Sequence, residues 1–456
     1  MALLLLFNWL GVGPSAPVVK RVADPANQQK SSPAVEKVNF QGTLQKFDGI
    51  PSALTGAWPW FRGPDFNNIS AENVKLRTDW GEAGPPVLWS VNLGEGYAGP
   101  AVRNGCVYLL DYDEAGKRDS LRCFSLETGE EIWRRSYRVI VQRNHGMSRT
   151  VPAVTERAVI TVGPKCHVVC VDARNGNFKW GIDLVRDFGT TVPLWYTGQC
   201  PLIDGAQVIL APGGKCLLMG VDLETGRVLW ETPNPEGFQM SHSSVVRMVL
   251  GSRKMYVYCA IGAMVGVAAD GPDRGRILWQ TKEWNLEVIS PSPVQLPENR
   301  ILVTAGYGAG SMLFQIKESG DGFTVKPLWK LGKETFGCEQ QTPLYYQGHL
   351  FSVLPNDAGA LKRQLVCLNV NGEIVWSSGK EHRFGFGPFM IGDGKLLILD
   401  DEGVLTIIEA SITGYVELAQ AKVLPGVESW APMALVGGRL LLRDSTQMRC
   451  LDLREP

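Results

Sequence analysis

The sequence predicts an all-β chain: an eight-bladed β-propeller of four-stranded antiparallel blades, closed by pairing an N-terminal strand with the C-terminal blade. Three observations lead there. First, a tryptophan-closed phrase recurs. Residues 126–133 read LETGEEIW and residues 223–230 read LETGRVLW. Looser copies place Trp89, Trp133, Trp180, Trp230, Trp279, Trp329 and Trp376 at successive spacings of 44, 47, 50, 49, 50 and 47 residues. Second, eight short markers run in step, each a Pro or Ser followed by apolar residues: GPAV (99–102), VPAV (151–154), CPLI (200–203), SSVV (243–246), SPVQ (292–295), TPLY (342–345), GPFM (387–390) and APMA (431–434). Third, after residue 58 no stretch keeps a helical apolar period. Runs such as VYLL, AVITV and KLLILD instead alternate with Asn-Gly and Asp-Gly turns. Four short strands in about 47 residues make a propeller blade.

The elements follow in chain order. The N-terminal run MALLLLFNWLGV is too short to span a membrane, which takes about 20 apolar residues, and matches the apolar core of a secretory signal. Residues 1–17 are therefore expected to be a signal peptide or hydrophobic anchor, and the protein to be periplasmic or secreted. Residues 18–57, rich in Ala, Pro, Lys, Gln and Ser, read as a flexible linker. The propeller then spans 58–456, with 58–84 as a lead-in. Trp89 closes a strand that has no blade before it, while the last unit (431–453) has three strands and lacks a fourth. The two fragments complete each other, which removes an open sheet edge. In blade seven, Tyr415-Val416-Glu417-Leu418 replaces the tryptophan phrase. Elsewhere the indole is expected to wedge between neighbouring blades, with its N–H on a partner.

Charge narrows the partners. With 45 basic and 46 acidic residues, no basic footprint exists for nucleic acid. No run is long enough for a multi-span membrane protein, and a monomer is expected. Of the ten cysteines, Cys123, Cys170 and Cys367 share one third-strand position, so most are expected to be buried free thiols rather than bridges.

A propeller binds at the mouth of its channel, which the loops leading into the first strands should line. Counted back from the markers, Arg149, Gln199, His242 and Gln341 could converge there on a polar or anionic ligand or on a partner's backbone, Arg149 supplying a planar donor fork. Trp430 occupies the same loop position as Gln341. Trp195-Tyr196 and Trp284 lie in connecting loops and are expected to be exposed aromatics. His145, His242, Cys338 and Glu339 have no metal-ligand spacing, so no metal is expected. The GEGYAG stretch at 94–99 is followed by Pro100 and a strand rather than a helix, so it is not a dinucleotide loop. Trp58, Trp60 and Phe61 are expected to anchor the lead-in, with Arg62-Gly63-Pro64 turning it.

The phrases LETGEEIW (126–133), VDARNGNFKW (171–180) and VDLETGRVLW (221–230), with WPWFRGP (58–64) before them, resemble the PQQ-like (quinoprotein-type) β-propeller repeat family. The resemblance covers about 58–456 and implies fold more than function. Two classes share it: quinone-dependent dehydrogenases and non-enzymatic scaffolds such as the propeller component of the bacterial outer-membrane β-barrel assembly machine. The dehydrogenase class usually has an adjacent Cys-Cys pair, which this sequence lacks. The expectation is therefore an exported, non-enzymatic propeller of the BamB-like branch that holds a protein or polysaccharide partner, without PQQ or another cofactor. A PQQ-dependent oxidoreductase and a propeller hydrolase or lyase are the alternatives.

Overall fold

The computed structural model describes residues 37–320 and 322–455. The expected signal or anchor at 1–17, and linker residues 18–36, lie outside them. Eight antiparallel sheets form the blades, seven of four strands and one of five. Closure runs as the sequence predicts. Val87–Asn92 pairs with Gln447–Asp452, with Trp89 opposite Cys450 and Asn92 opposite Gln447. Among the described residues the one α-helix is the single turn Leu184–Phe188, and no helix is long and apolar enough to cross a membrane.

In four of its seven copies the tryptophan N–H works as an inter-blade key. Trp230 and Trp279 instead bond Gln207 and Met255 of their own blades, and the buried Trp133 N–H, against expectation, has no partner among the described residues. Trp89 Nε1 donates to the Leu126 carbonyl of blade one (3.0 Å), Trp180 to Leu223 of blade three (3.0 Å), Trp329 to Val370 of blade six (3.0 Å) and Trp376 to Ser411 of blade seven (3.2 Å). The glycine of the phrase receives the preceding blade's indole. A Cβ on Gly129 would stand 2.6 Å from the Trp89 ring, and one on Gly226 would stand 2.7 Å from that of Trp180. Gly226 also has φ +73°, which an L side chain adopts at a cost of about 1–2 kcal/mol. Gly226→Ala should therefore cost at least that much, and more if the Trp180 ring cannot shift. A change in unfolding free energy below about 0.5 kcal/mol, from urea titration, would contradict it.

Opposite the tryptophans, Cys123, Cys170, Cys367 and Cys450 pair directly with Trp133, Trp180, Trp376 and Trp89. These thiols are small fillers under the indoles, and all ten cysteines are free and buried. In blade seven Ala419 stands in the tryptophan register opposite Ile407. Trp80 of the lead-in is buried in the core cluster against which Leu418 and Ala419 pack.

The linker reading fails for residues 37–57. Thr43–Lys46 adds a fifth strand to blade one, antiparallel to Glu131–Arg138, and Phe47 and Gly49 continue its hydrogen bonding to Ile132 and Glu131. Phe40 packs edge-on against Tyr137 (5.6 Å) and His167 (5.3 Å). Composition missed this because the unpaired backbone edge of a blade can hold a polar strand with few apolar side chains.

The lead-in crosses the ring along the inner strands. Trp58 bridges Val102 of blade one, Pro59 accepts from Val154 of blade two, Asn68 donates to Phe389 of blade seven, and Glu72 accepts from Gly437 of blade eight. These contacts lie along the first strands and the hairpins after them, on the side away from the first-strand loops. The structure therefore bears out the anchoring role given to Trp58, which is 2% exposed.

Candidate functional site

A belt of hydrogen bonds fixes where the first strands of blades two to six start. Val151 N–H donates to Cys200 Sγ (3.3 Å), Cys200 N–H to Ser244 Oγ (3.0 Å), Ser244 N–H to Ser292 Oγ (3.2 Å) and Ser292 N–H to Thr342 Oγ1 (3.0 Å). Each link joins one blade to the next. The belt also corrects the marker of blade four. Ser244 is the counterpart of Cys200 and Ser292, so Val245 takes the proline position and the strand starts at Val246. His242 then falls in line with Tyr97 and Arg149, and Ser243 with Gln199 and Gln341.

In an antiparallel blade, the loops into strand one and those between strands two and three emerge on the same face. Their side chains line the mouth in two arcs that meet where Arg149 bonds Trp195. The Arg149 guanidinium lies 5.3 Å over the Tyr97 ring. Tyr97 packs on Trp430 (5.1 Å), and Trp430 on Phe386 (5.8 Å, edge-on). Arg363 covers Phe386 (5.6 Å) and lies 3.6 Å from Asp401, which accepts from Trp430 Nε1 (2.8 Å). On the other side Trp195 stacks on both His242 (6.3 Å) and Tyr307 (5.9 Å), and the Tyr307 hydroxyl hydrogen-bonds Glu339.

Most of the expected ligand donors are spent inside these arcs. Arg149 Nε donates to the Trp195 carbonyl (2.5 Å), and its Nη2 to Asn144 (3.2 Å) and His145 (2.5 Å). Gln199, 2% exposed, exchanges bonds with Ala211 and reaches Tyr258. Gln341 donates to the Trp430 carbonyl (2.9 Å) and is buried. Tyr196 is buried with its hydroxyl on the Gln142 carbonyl (2.6 Å), and Trp284 is 2% exposed. Gln199, Gln341, Tyr196 and Trp284 are therefore not surface contacts, contrary to the sequence reading. Trp195, His242 and Trp430 do reach the mouth, half-buried.

The backbone here is strained. Trp195 and Tyr196 are consecutive left-handed residues, φ +62° and +72°, each costing about 1–3 kcal/mol. The Arg149 and Tyr196 bonds hold that turn, and the indole stacks on His242 and Tyr307 with its N–H buried and unpartnered among the described residues.

The sequence reading missed Tyr307, the most exposed aromatic of the mouth at 59%. It sits between Gly306 and Gly308 at φ +55°, and an aromatic between two turn glycines was the signal that could have found it. Asp401 and Arg363 were missed for the same reason, since they come from the loops between strands two and three. Electrostatically, burial pushes Glu339 up to about 7, helped by nearby Asp357, and raises Asp401. Burial draws the Arg149 guanidinium down to about 10. Among the described residues no group of three His, Cys, Asp or Glu side chains is arranged to hold a metal.

Residues 117–330 match the family model described as outer membrane protein assembly factor BamB. Among solved structures, the chain is similar to BamB from Moraxella catarrhalis, at 12% identity over 81% of this chain and 100% of that one, with a TM-score of 0.54. It is also similar to the quinohemoprotein alcohol dehydrogenase of Comamonas testosteroni (12%, 88% and 81%, TM-score 0.61). A third is quinohemoprotein alcohol dehydrogenase ADHIIG of Pseudomonas putida HK5 (12%, 87% and 80%, TM-score 0.60). At this identity the likeness is one of fold. No curated protein matches the sequence.

Proposed function

We propose, on the premise of a PQQ-like β-propeller family supported by both the repeats and the ring, that this chain is a non-enzymatic scaffold. It acts outside the cytoplasm, in the periplasm or at the outer membrane, and holds a protein partner on the first-strand-loop face. The location rests on the likeness to BamB and on the apolar N-terminal run.

One observation carries the reading. The strong donors of the mouth are turned inward onto the protein's own carbonyls, while Tyr307, Trp195 and Trp430 present ring surface among Glu339, Asp401 and Glu428. An aromatic patch with a charged rim is the usual form of a protein-binding hot spot. The acidic side, across blades six to eight, fits a basic segment.

A quinone cofactor does not suit these residues. PQQ carries three carboxylates and needs free cations. Arg149 is spent on three carbonyls, Arg363 donates to Asn356 and lies beside Asp401, and the facing rim is acidic.

The test is recovery of a cross-linked partner from a bacterial envelope fraction by wild type, Tyr307→Ala and Trp195→Ala. We expect at least a tenfold loss for Tyr307→Ala, measured at a temperature where each variant is folded because the ring stacks on Trp195 and its hydroxyl bonds Glu339. Equal recovery by all three proteins refutes the face. A parallel incubation with PQQ and calcium should give no dye reduction, and a quinone-dependent turnover would favour the oxidoreductase.

A further inference from the structure

The lead-in motif at 58–64 takes no part in the mouth, yet it places one unusual charge. Arg62 is 4% exposed at φ +67°, in a turn held by Gly63 N–H on Trp60, Phe66 N–H on Gly63 and Asn68 N–H on Arg62. The turn drives the side chain in among the inner strands of blades three to six. A guanidinium has five N–H donors. Among the described residues this one finds a single acceptor, the Pro343 carbonyl, at a long 3.4 Å, and its buried Nε has no partner.

Other buried arginines show the contrast. Arg443, fully buried, donates to the carbonyls of Gly94, Ala98, Asp444 and Ser445 and lies in the field of Asp111 and Asp444. Arg135, also buried, donates to the carbonyls of Gly176 and Gln41, and Arg439, whose Nε is likewise unpartnered, lies in the field of Asp452. For Arg62 burial alone perturbs the guanidinium, drawing it down to about 9, so it stays protonated at neutral pH with no acid beside it. A buried, uncompensated cation is strongly destabilising.

Arg62 borders a small void of ≈ 10 Å³, lined also by Cys200, Ser244 and Ser292 of the belt. Ser244 Oγ and Ser292 Oγ each accept a backbone N–H, which leaves their hydroxyl protons to donate. A void of this scale holds one monatomic guest and is too small for phosphate or a carboxylate ligand.

We propose that Arg62, Ser244 and Ser292 form a site for one small monovalent anion, a halide, which neutralises the buried guanidinium and locks the lead-in across the ring. The site is independent of the partner reading at the mouth.

The full chain can be melted in sodium gluconate at constant ionic strength while bromide replaces gluconate stepwise. Wild type should show a saturable rise in Tm, on the order of 3 °C. Arg62→Met and Arg62→Gln should lose the saturable part. In gluconate Arg62→Met should melt at or above wild type, because an apolar side chain of similar volume removes the unpaired charge. Bromide-soaked wild-type crystals should give an anomalous peak beside Nε. A flat melting response shared by wild type and Arg62→Met, or crystals without that peak, overturns the proposal and leaves the void to water. If the variants do not fold, the anomalous map of the wild type decides alone.

Discussion

Truncating Trp89 to alanine should destabilise the ring by about 3–5 kcal/mol, among the largest effects of any single substitution in the molecule. Trp89 is 7% exposed, its ring packs against Gly129, and its N–H caps the Leu126 carbonyl. Removal leaves a cavity between blades eight and one and an unpaired buried carbonyl. The site is also the closure. Val87–Asn92 is the one strand of its blade contributed from the N-terminal side, so its packing holds the two chain ends together. Trp329→Ala serves as the comparison. That ring caps Val370 in the same way but is half-buried and joins blades that are consecutive in sequence, so its loss should cost clearly less. Urea unfolding of both variants checks the order. Equal midpoints for Trp89→Ala and wild type would mean that closure does not depend on the indole.

The contrast shows what a single sequence can carry. Blade number, closure and the wedge role of the tryptophans follow from a repeat whose period and terminal residue survive in most copies. The indole fits against a neighbouring glycine backbone, and few other residues could replace either partner. Where the copies lose a residue, the reading slips. Blade four has no marker proline, and the one-residue ambiguity of SSVV moved His242 out of line with Arg149. The hydrogen-bond belt that resolves it runs between blades and has no sequence period of its own.

The mouth was half legible for a related reason. The first-strand loops are tied to the markers, so Arg149 and Trp430 could be placed. The loops between strands two and three vary in length, and Tyr307, Arg363 and Asp401 lie in those. Direction was harder still. Gln199 and Gln341 stand at the positions the repeat assigns, but their amides are taken up by the backbone of neighbouring loops, Gln199 by Ala211 and Gln341 by Trp430. That choice depends on which carbonyls each loop leaves unpaired.

Replacing Asp119 by asparagine should make the protein more stable relative to wild type as pH rises from about 4 to about 7. Asp119 is 1% exposed in blade one and accepts a hydrogen bond from Tyr137 (2.7 Å), while its Oδ1 has no partner among the described residues. Phe40 roofs the pocket by packing on Tyr137 and His167, so the fifth strand seals these groups from water. Burial first, then the charge of Asp111, pushes the carboxyl up to about 7 from an ordinary 3.8. The folded state therefore holds this proton more tightly than the unfolded chain. The resulting stability is fully present below about 4 and is lost as pH rises through about 7. That interval corresponds to roughly 4 kcal/mol as an upper bound. Two histidines act in the opposite sense. Burial draws His242 down to about 4 and lowers His167, so their contribution falls as pH drops from about 6.5 towards 4. Wild-type stability alone would mix the three. The difference between Asp119→Asn and wild type isolates the carboxyl, because the histidines are common to both. Any cost of seating the amide adds a constant offset. Urea midpoints at half-unit steps from pH 4.5 to 8.5 should give a difference that climbs and then levels above about 7. A difference independent of pH would mean that Asp119 is ionised throughout, and that the sealed pocket under Phe40 admits water.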